Sequence, residues 1–161
     1  MSKVILGIDP GFAILGWGMI NSLDRDHINS VEWGAISTKN SLNIETRLFK
    51  IYNELIKIID KYKPDEIAIE KVFFNNNAKT AITVGQAQGV VFLLSAMRNV
   101  PIFQYTPLQV KSGLTGYGVA DKKQVQNMLK LVLRLDTIPK PDDAADGVAI
   151  ALCHLQTNRF L

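Results

Sequence analysis

Apolar and polar positions run in short blocks through the first forty residues, and each block is closed by a turn signal. Residues 3–9 carry the apolar run Val4-Ile5-Leu6-Gly7-Ile8, ending at Asp9 and an Asp9-Pro10-Gly11 turn. A second run, 14–22, and a third from about 28 to 38 flank the polar turn Asp24-Arg25-Asp26. The three predict an antiparallel meander. The period then changes. Leu42, Leu48, Ile51, Leu55 and Ile58-Ile59 recur at helical spacing up to Lys63-Pro64-Asp65, which stops the helix and leads into a short strand, 66–70. A long helix over roughly 77–98 follows, then a fifth strand from Pro101 to Tyr105.

Beyond it the pattern predicts a loop holding Gly113, Gly116 and Gly118, a helix at about 121–134 and a Pro-rich break at 139–141. The last helix, roughly 141–157, has Pro141 in its first turn and Asp142 as its expected cap. The order βββαβαβ with closing helices predicts one α/β domain over 1–161. Its five-stranded mixed sheet has three antiparallel strands first and helices on both faces.

Composition adds limits. At 47% hydrophobic and 20% charged residues the chain reads as an ordinary globular protein, long enough to bury a core without cross-links. Gly, Asn or charge is expected to break each apolar stretch before membrane-spanning length. The N-terminus shows no signal-peptide pattern, and Cys153 is the one cysteine, so a reducing cytoplasm is the expected location and no membrane partner is implied. From Lys71 to Arg134 there are eight basic residues against one acid, Asp121, although the whole chain carries only +3. That asymmetry fits either a phosphate-holding surface or a merely solvated one.

The candidate chemistry lies in four acids far apart in sequence. Asp9 and Glu70 each end an apolar run, where a strand leaves the sheet, and Asp143 and Asp146 lie three apart at a helix start and so share a face. Taken singly, each has an ordinary explanation as a turn residue, a strand end or a favourable charge at a helix N-terminus. Taken together, they form a cluster that repels itself unless a cation sits among them, and a divalent metal takes hard oxygen ligands. This predicts metal-dependent phosphoryl transfer. Gly7, Gly16 and Gly18 interrupt strands and admit two readings, substrate approach near Asp9 or tight packing around Trp17.

Phe73 and Phe74 are adjacent in an extended segment, so one is expected to be exposed and to stack on bases, the alternative being loop contacts for both. Ala78, Ala81, Gly85 and Gly89 form a small-residue stripe with Val84, Val90, Val91 and Leu94 beside it, suited to an internal contact or to a two-fold dimer. The stretch 113–123 lacks the Gly-Lys-Ser/Thr register of a nucleotide loop and reads as a flexible basic segment touching phosphates. His27 and His154 lack metal-ligand spacing and are expected to be structural.

Four strings in order, Gly-Ile-Asp-Pro-Gly (7–11), Ala-Ile-Glu-Lys-Val-Phe (68–73), Gly-Gln-Ala-Gln-Gly (85–89) and Asp-Ala-Ala-Asp-Gly-Val-Ala-Ile-Ala (143–151), closely resemble the RuvC family of bacterial Holliday-junction resolvases. The resemblance spans about 3–157. It implies an RNase H-like fold, a homodimer, and Mg²⁺-dependent paired cutting of four-way DNA junctions during recombination and repair, downstream of the RuvA–RuvB branch-migration complex. By matched positions it implies catalytic and metal-binding roles for Asp9, Glu70, Asp143 and Asp146. In-line hydrolysis at such a centre is expected to use two Mg²⁺ per subunit, and Mn²⁺ suits the same oxygen ligands. It also implies a base-unstacking aromatic at Phe73 or Phe74, DNA contacts from Lys111, Lys122 and the adjacent Lys123, and a dimer helix around Gly85 and Gly89. Two rival readings are a related nuclease acting on flaps or RNA–DNA hybrids, and an architectural junction binder that does not cut. An actin-like ATPase is disfavoured by the chain's length.

Overall fold

In the computed structural model, residues 2–24, 26–72 and 78–157 are described. Strands β1 (Lys3–Asp9), β2 (Ile14–Ser22) and β3 (Ile28–Ser37) form the expected meander. They are followed by α1 (Ile44–Tyr62), β4 (Glu66–Glu70), α2 (Ala78–Arg98) and β5 (Ile102–Tyr105). The sheet order is β3-β2-β1-β4-β5, antiparallel within the meander and parallel from β1 through β4 to β5. Asp9 and Glu70 therefore end neighbouring parallel strands at one edge of the sheet.

Side-chain alternation decides which face each residue serves. Leu6 and Ile8 of β1, Leu15 and Met19 of β2, and Ile67 and Ile69 of β4 meet Ile51, Leu55 and Ile59 of α1 and Ala87, Val91 and Leu94 of α2. Fully burying each of the larger side chains contributes roughly 1.5–3 kcal/mol. The alternate positions Ile5, Ile20 and Ala68 face the other core, built from Val110, Leu114, Val125, Leu129, Val148 and Leu152. Asp9 keeps the phase of Ile5 and Gly7, and Glu70 keeps that of Glu66 and Ala68. Both acids thus lie on this second face.

The second face holds α3 (Pro107–Thr115), α4 (Lys122–Val132) and α5 (Asp142–Thr157). Helix α3 corrects the expected glycine loop. Thr106 and Gln109 form a reciprocal capping box, Pro107 opens the first turn, and Gly116 ends the helix in the left-handed region at φ 84°. Those helix signals compete in the sequence with three closely spaced glycines, and the cap prevails. Asp142 is not the α5 cap either. The Pro141 carbonyl accepts from the Ala144 and Ala145 amides, and the Asp142 carboxylate pairs with Lys122 and Lys140.

Helix α2 departs from expectation in two ways. By length and composition Thr80–Arg98 is apolar enough to cross a membrane, because its glycines and glutamines dilute the hydropathy too little. In the fold, Ala87, Val91 and Leu94 are core residues, and Ala81 is buried as well, so Ala81, Val91 and Leu94 pack within the chain. What remains outward is Ile82, Gly89, Leu93 and Met97.

His154 is structural, as expected. Its ring is buried, with Nδ1 2.6 Å from the Tyr105 hydroxyl and Nε2 2.6 Å from Glu66, whose other oxygen meets Lys3 at 2.6 Å. Burial holds His154 below its usual pKa despite the Glu66 carboxylate. Burial alone would raise Glu66, but Lys3 and His154 outweigh it and lower its pKa. For both groups the unfolded chain binds protons more readily, so the stability that this pair contributes is lost as pH drops below about 6.5 and then through the carboxylate range. An NMR titration is expected to give His154 a midpoint below about 6.5. A midpoint above that value would contradict this assignment.

Candidate active site

Three glycines and a small-residue helix bring the acids together. A Cβ on Gly7 would lie 2.1 Å from the Gly147 carbonyl oxygen, one on Gly16 1.8 Å from the Asp143 carbonyl oxygen, and one on Gly18 2.4 Å from Val148 Cα. In return, Gly147 lies against the Trp17 backbone, where a Cβ would come within 2.6 Å. The bare backbone on β1 and β2 thus receives α5 itself and is not left open to substrate. Asp9 pairs with Gly16 across the antiparallel ladder, so the start of α5, seated on Gly16, is delivered beside Asp9.

The electrostatics record that crowding. Burial first, then Glu70, Asp146 and Asp143, push the Asp9 pKa up to about 8, and a hydrogen bond ties its carboxyl to Glu70. Burial and Asp146 raise Glu70 too, while the bond from Asp9 and the charge of Lys111 pull the other way. The consistent reading is one proton held on Asp9 and shared with Glu70. Asp146 is raised chiefly by burial, and Lys122 opposes the shift. Lys122 Nζ stands 3.2 Å from Asp142 and 3.8 Å from Asp146. Burial would lower Lys122, but Asp146 and Asp142 prevail and keep it firmly protonated.

Lys111, on α3, and Lys122, at the start of α4, join Glu70 and Asp146 around a pocket of about 270 Å³ floored by Val110, Val125 and Ile150. Lys123 is exposed at the start of the same helix. Phe73 and Phe74 lie outside the described residues. Gln88 was not foreseen. Its Nε2 donates to the Glu70 carbonyl at 3.1 Å and ties α2 to the end of β4. It stands inside the string 85–89, between glycines that suggest a helix contact and mask its tie to β4. Gly85 and Gly89 have open space where a Cβ would project.

The donor set suits a hard divalent cation, being four carboxylates, one of which holds a proton because burial and its acidic neighbours disfavour its charge. Among the described residues no three such groups already converge on one point. They are paired instead, Asp9 with Glu70 and Asp146 with Lys122. Asp9, Glu70, Asp143 and Asp146 are the residues that would hold a cation there, and its charge would favour their ionised forms.

A mixed sheet of this strand order, with acids gathered from β1, β4 and a helix laid across them, defines an RNase H-like domain with a carboxylate centre. The chain belongs to the crossover junction endodeoxyribonuclease RuvC family, whose profile matches residues 5–154. The RuvC of Alkaliphilus oremlandii is 52% identical over 157 residues, covering 98% of this chain and 95% of that protein. The RuvC of Pseudothermotoga lettingae is 52% identical over 151 residues, covering 94% and 93%. Among solved structures, Thermus thermophilus RuvC superposes with a TM-score of 0.87 at 30% identity, over 96% of this chain and 94% of that one. Thermus thermophilus RuvC in complex with a Holliday-junction substrate gives 0.86 at 32% identity, over 94% and 92%.

Proposed function

We propose that this chain is a Holliday-junction resolvase, a structure-selective endodeoxyribonuclease that cuts opposed strands of a four-way junction in recombination and repair. The observation that carries the reading is the delivery of Asp143 and Asp146 to Asp9 and Glu70 by the glycine-seated helix α5. The whole of 1–161 acts as one catalytic unit, working in the cytoplasm as a homodimer and taking junctions from the RuvA–RuvB machinery. The outward face of α2 around Gly85 and Gly89 supports the dimer, since bare backbone there admits a second helix closely. Two active sites on a two-fold axis match the symmetry of a four-way junction.

Asp9, Glu70, Asp143 and Asp146 would hold two Mg²⁺, for which Mn²⁺ substitutes. Two such ions supply a water of lowered pKa and neutralise charge on the leaving oxygen. Asp9, the most strongly shifted of these acids, would be a ligand at the centre of the cluster. Glu70 and Asp143 would supply further oxygens beside it. Lys122 stays protonated and, once released from Asp142, faces the negative charge that develops on the phosphate. Lys111 and Lys123 hold neighbouring phosphates, and Phe73 or Phe74 disturbs stacking at the crossover.

Incubating a labelled synthetic four-way junction with the wild type and with Glu70→Gln tests this directly. Paired symmetric nicks are expected only from the wild type with Mg²⁺, and none in EDTA. Tight junction binding by both proteins without cutting, across varied crossover sequences, would leave an architectural binder instead.

A further inference from the structure

Arg47 of α1 lies outside the basic stretch 71–134 and takes no part in the chemistry described above. It sits in an open groove of about 730 Å³ on the Asp143 side of the acids, bordered by Gly11–Ile14, Asn40, Asn43, Thr80 and Asp143. Its Nε donates to Thr38 Oγ1 at 2.8 Å, and Nη2 reaches the Phe12 carbonyl at 3.4 Å and Asn40 Oδ1 at 3.3 Å. The guanidinium lies 4.0 Å from the centre of the Phe12 ring. All of these partners are neutral, and among the described residues no carboxylate pairs with it. A guanidinium carries five N–H donors, and these hydrogen bonds occupy three, leaving the Nη1 end of a braced cation for an anion in the groove.

The placement matters because of what lies opposite. Lys111 and Lys122 flank the acids on the Glu70–Asp146 side, whereas this groove adjoins them through Asp143. A strand whose scissile phosphate sits at the acids carries further phosphates in both directions. Cations on one side alone would leave the strand without a phosphate contact beyond Asp143. Among the described residues that line this groove, Arg47 is the one that carries positive charge.

We propose that the Arg47 groove is a phosphodiester-binding subsite that holds the cut strand on the Asp143 side, opposite Lys111 and Lys122. This rests on the resolvase reading. The groove grips phosphates, so it positions the strand without reading its sequence.

The test measures binding of a labelled four-way junction to the full-length chain across salt concentrations in EDTA, with cutting in Mg²⁺ scored separately. Arg47→Gln is expected to weaken binding about 10-fold for every crossover sequence and to reduce the salt slope by about 0.9 for each phosphate no longer held. Asn40→Asp guards against a simple folding defect, because it gives Arg47 a carboxylate partner and neutralises it without touching the core. It is expected to keep or raise the thermal midpoint while lowering affinity and slope in the same way. Wild-type affinity and slope in Asn40→Asp would overturn the proposal and make Arg47 a brace for the loop around Phe12. A wild type that binds but never cuts removes the resolvase reading, and the same slopes still judge the groove.

Discussion

Asp9→Asn is expected to reduce junction cutting by about 10³-fold or more while making the metal-free protein more stable. The two effects share a cause. With a folded pKa of about 8 against an ordinary value of 3.8, Asp9 holds a proton in the native state that the unfolded chain has already released. Between those values the native state binds the extra proton, so the stability contributed by Asp9 is greatest at the acid end of the window and is lost as pH rises through about 8. Glu70 and Asp146 are raised as well and act in the same direction. Asparagine never ionises. Its advantage should therefore grow between about pH 5 and 8, reaching on the order of 2–4 kcal/mol, or roughly 5–10 °C in thermal midpoint. Mg²⁺ should raise the wild-type midpoint most at the alkaline end and leave Asp9→Asn largely unmoved. Thermal melts against pH, with Mg²⁺ and with EDTA, measure all of this. A wild-type midpoint that rises steadily relative to that of Asp9→Asn from about pH 5 to 8 without metal would contradict the clustering described for Asp9.

Gly16→Ala should be among the most damaging single-methyl changes at the described residues. The new Cβ would fall 1.8 Å from the Asp143 carbonyl oxygen, in backbone that has no flexible end to swing aside. Either α5 lifts by an ångström or more, or the β1–β2 ladder buckles. The expected destabilisation is about 2–4 kcal/mol. Misplacement on that scale should also cost about 10² in cutting rate per folded molecule. Measuring activity at a temperature where circular dichroism shows the variant folded separates the two effects. A folded, fully active Gly16→Ala would mean that α5 does not set the position of Asp143.

The sheet and its acids were legible because strand alternation is a local signal. The run from Val4 to Ile8 ends visibly at Asp9, and Ile67 to Ile69 ends at Glu70. What lay hidden depended on pairings between distant residues. Gly16 could be read as an opening for substrate or as a packing position, and only its register opposite Asp9, with α5 lying above, decides between them. Helix α3 was obscured because Gly113 and Gly116 look alike in sequence, one being inside the helix and the other its cap. Ala81 belonged to the small-residue stripe by spacing but to the core by helix phase. Gln88 and Arg47 left no signal, since each acts by bonding to backbone or side chains at least seven positions away.

The order of elements also governs when the enzyme becomes dangerous. Asp9 and Glu70 are in place once β1 and β4 pair, but Asp143 and Asp146 arrive with the last helix, which docks against strands made at the beginning of translation. If the four acids form the catalytic centre proposed above, a nascent chain still lacking α5 would have half of it. A ribosome-bound fragment would then be unable to nick DNA, and cleavage competence would come only when the final helix closes the fold.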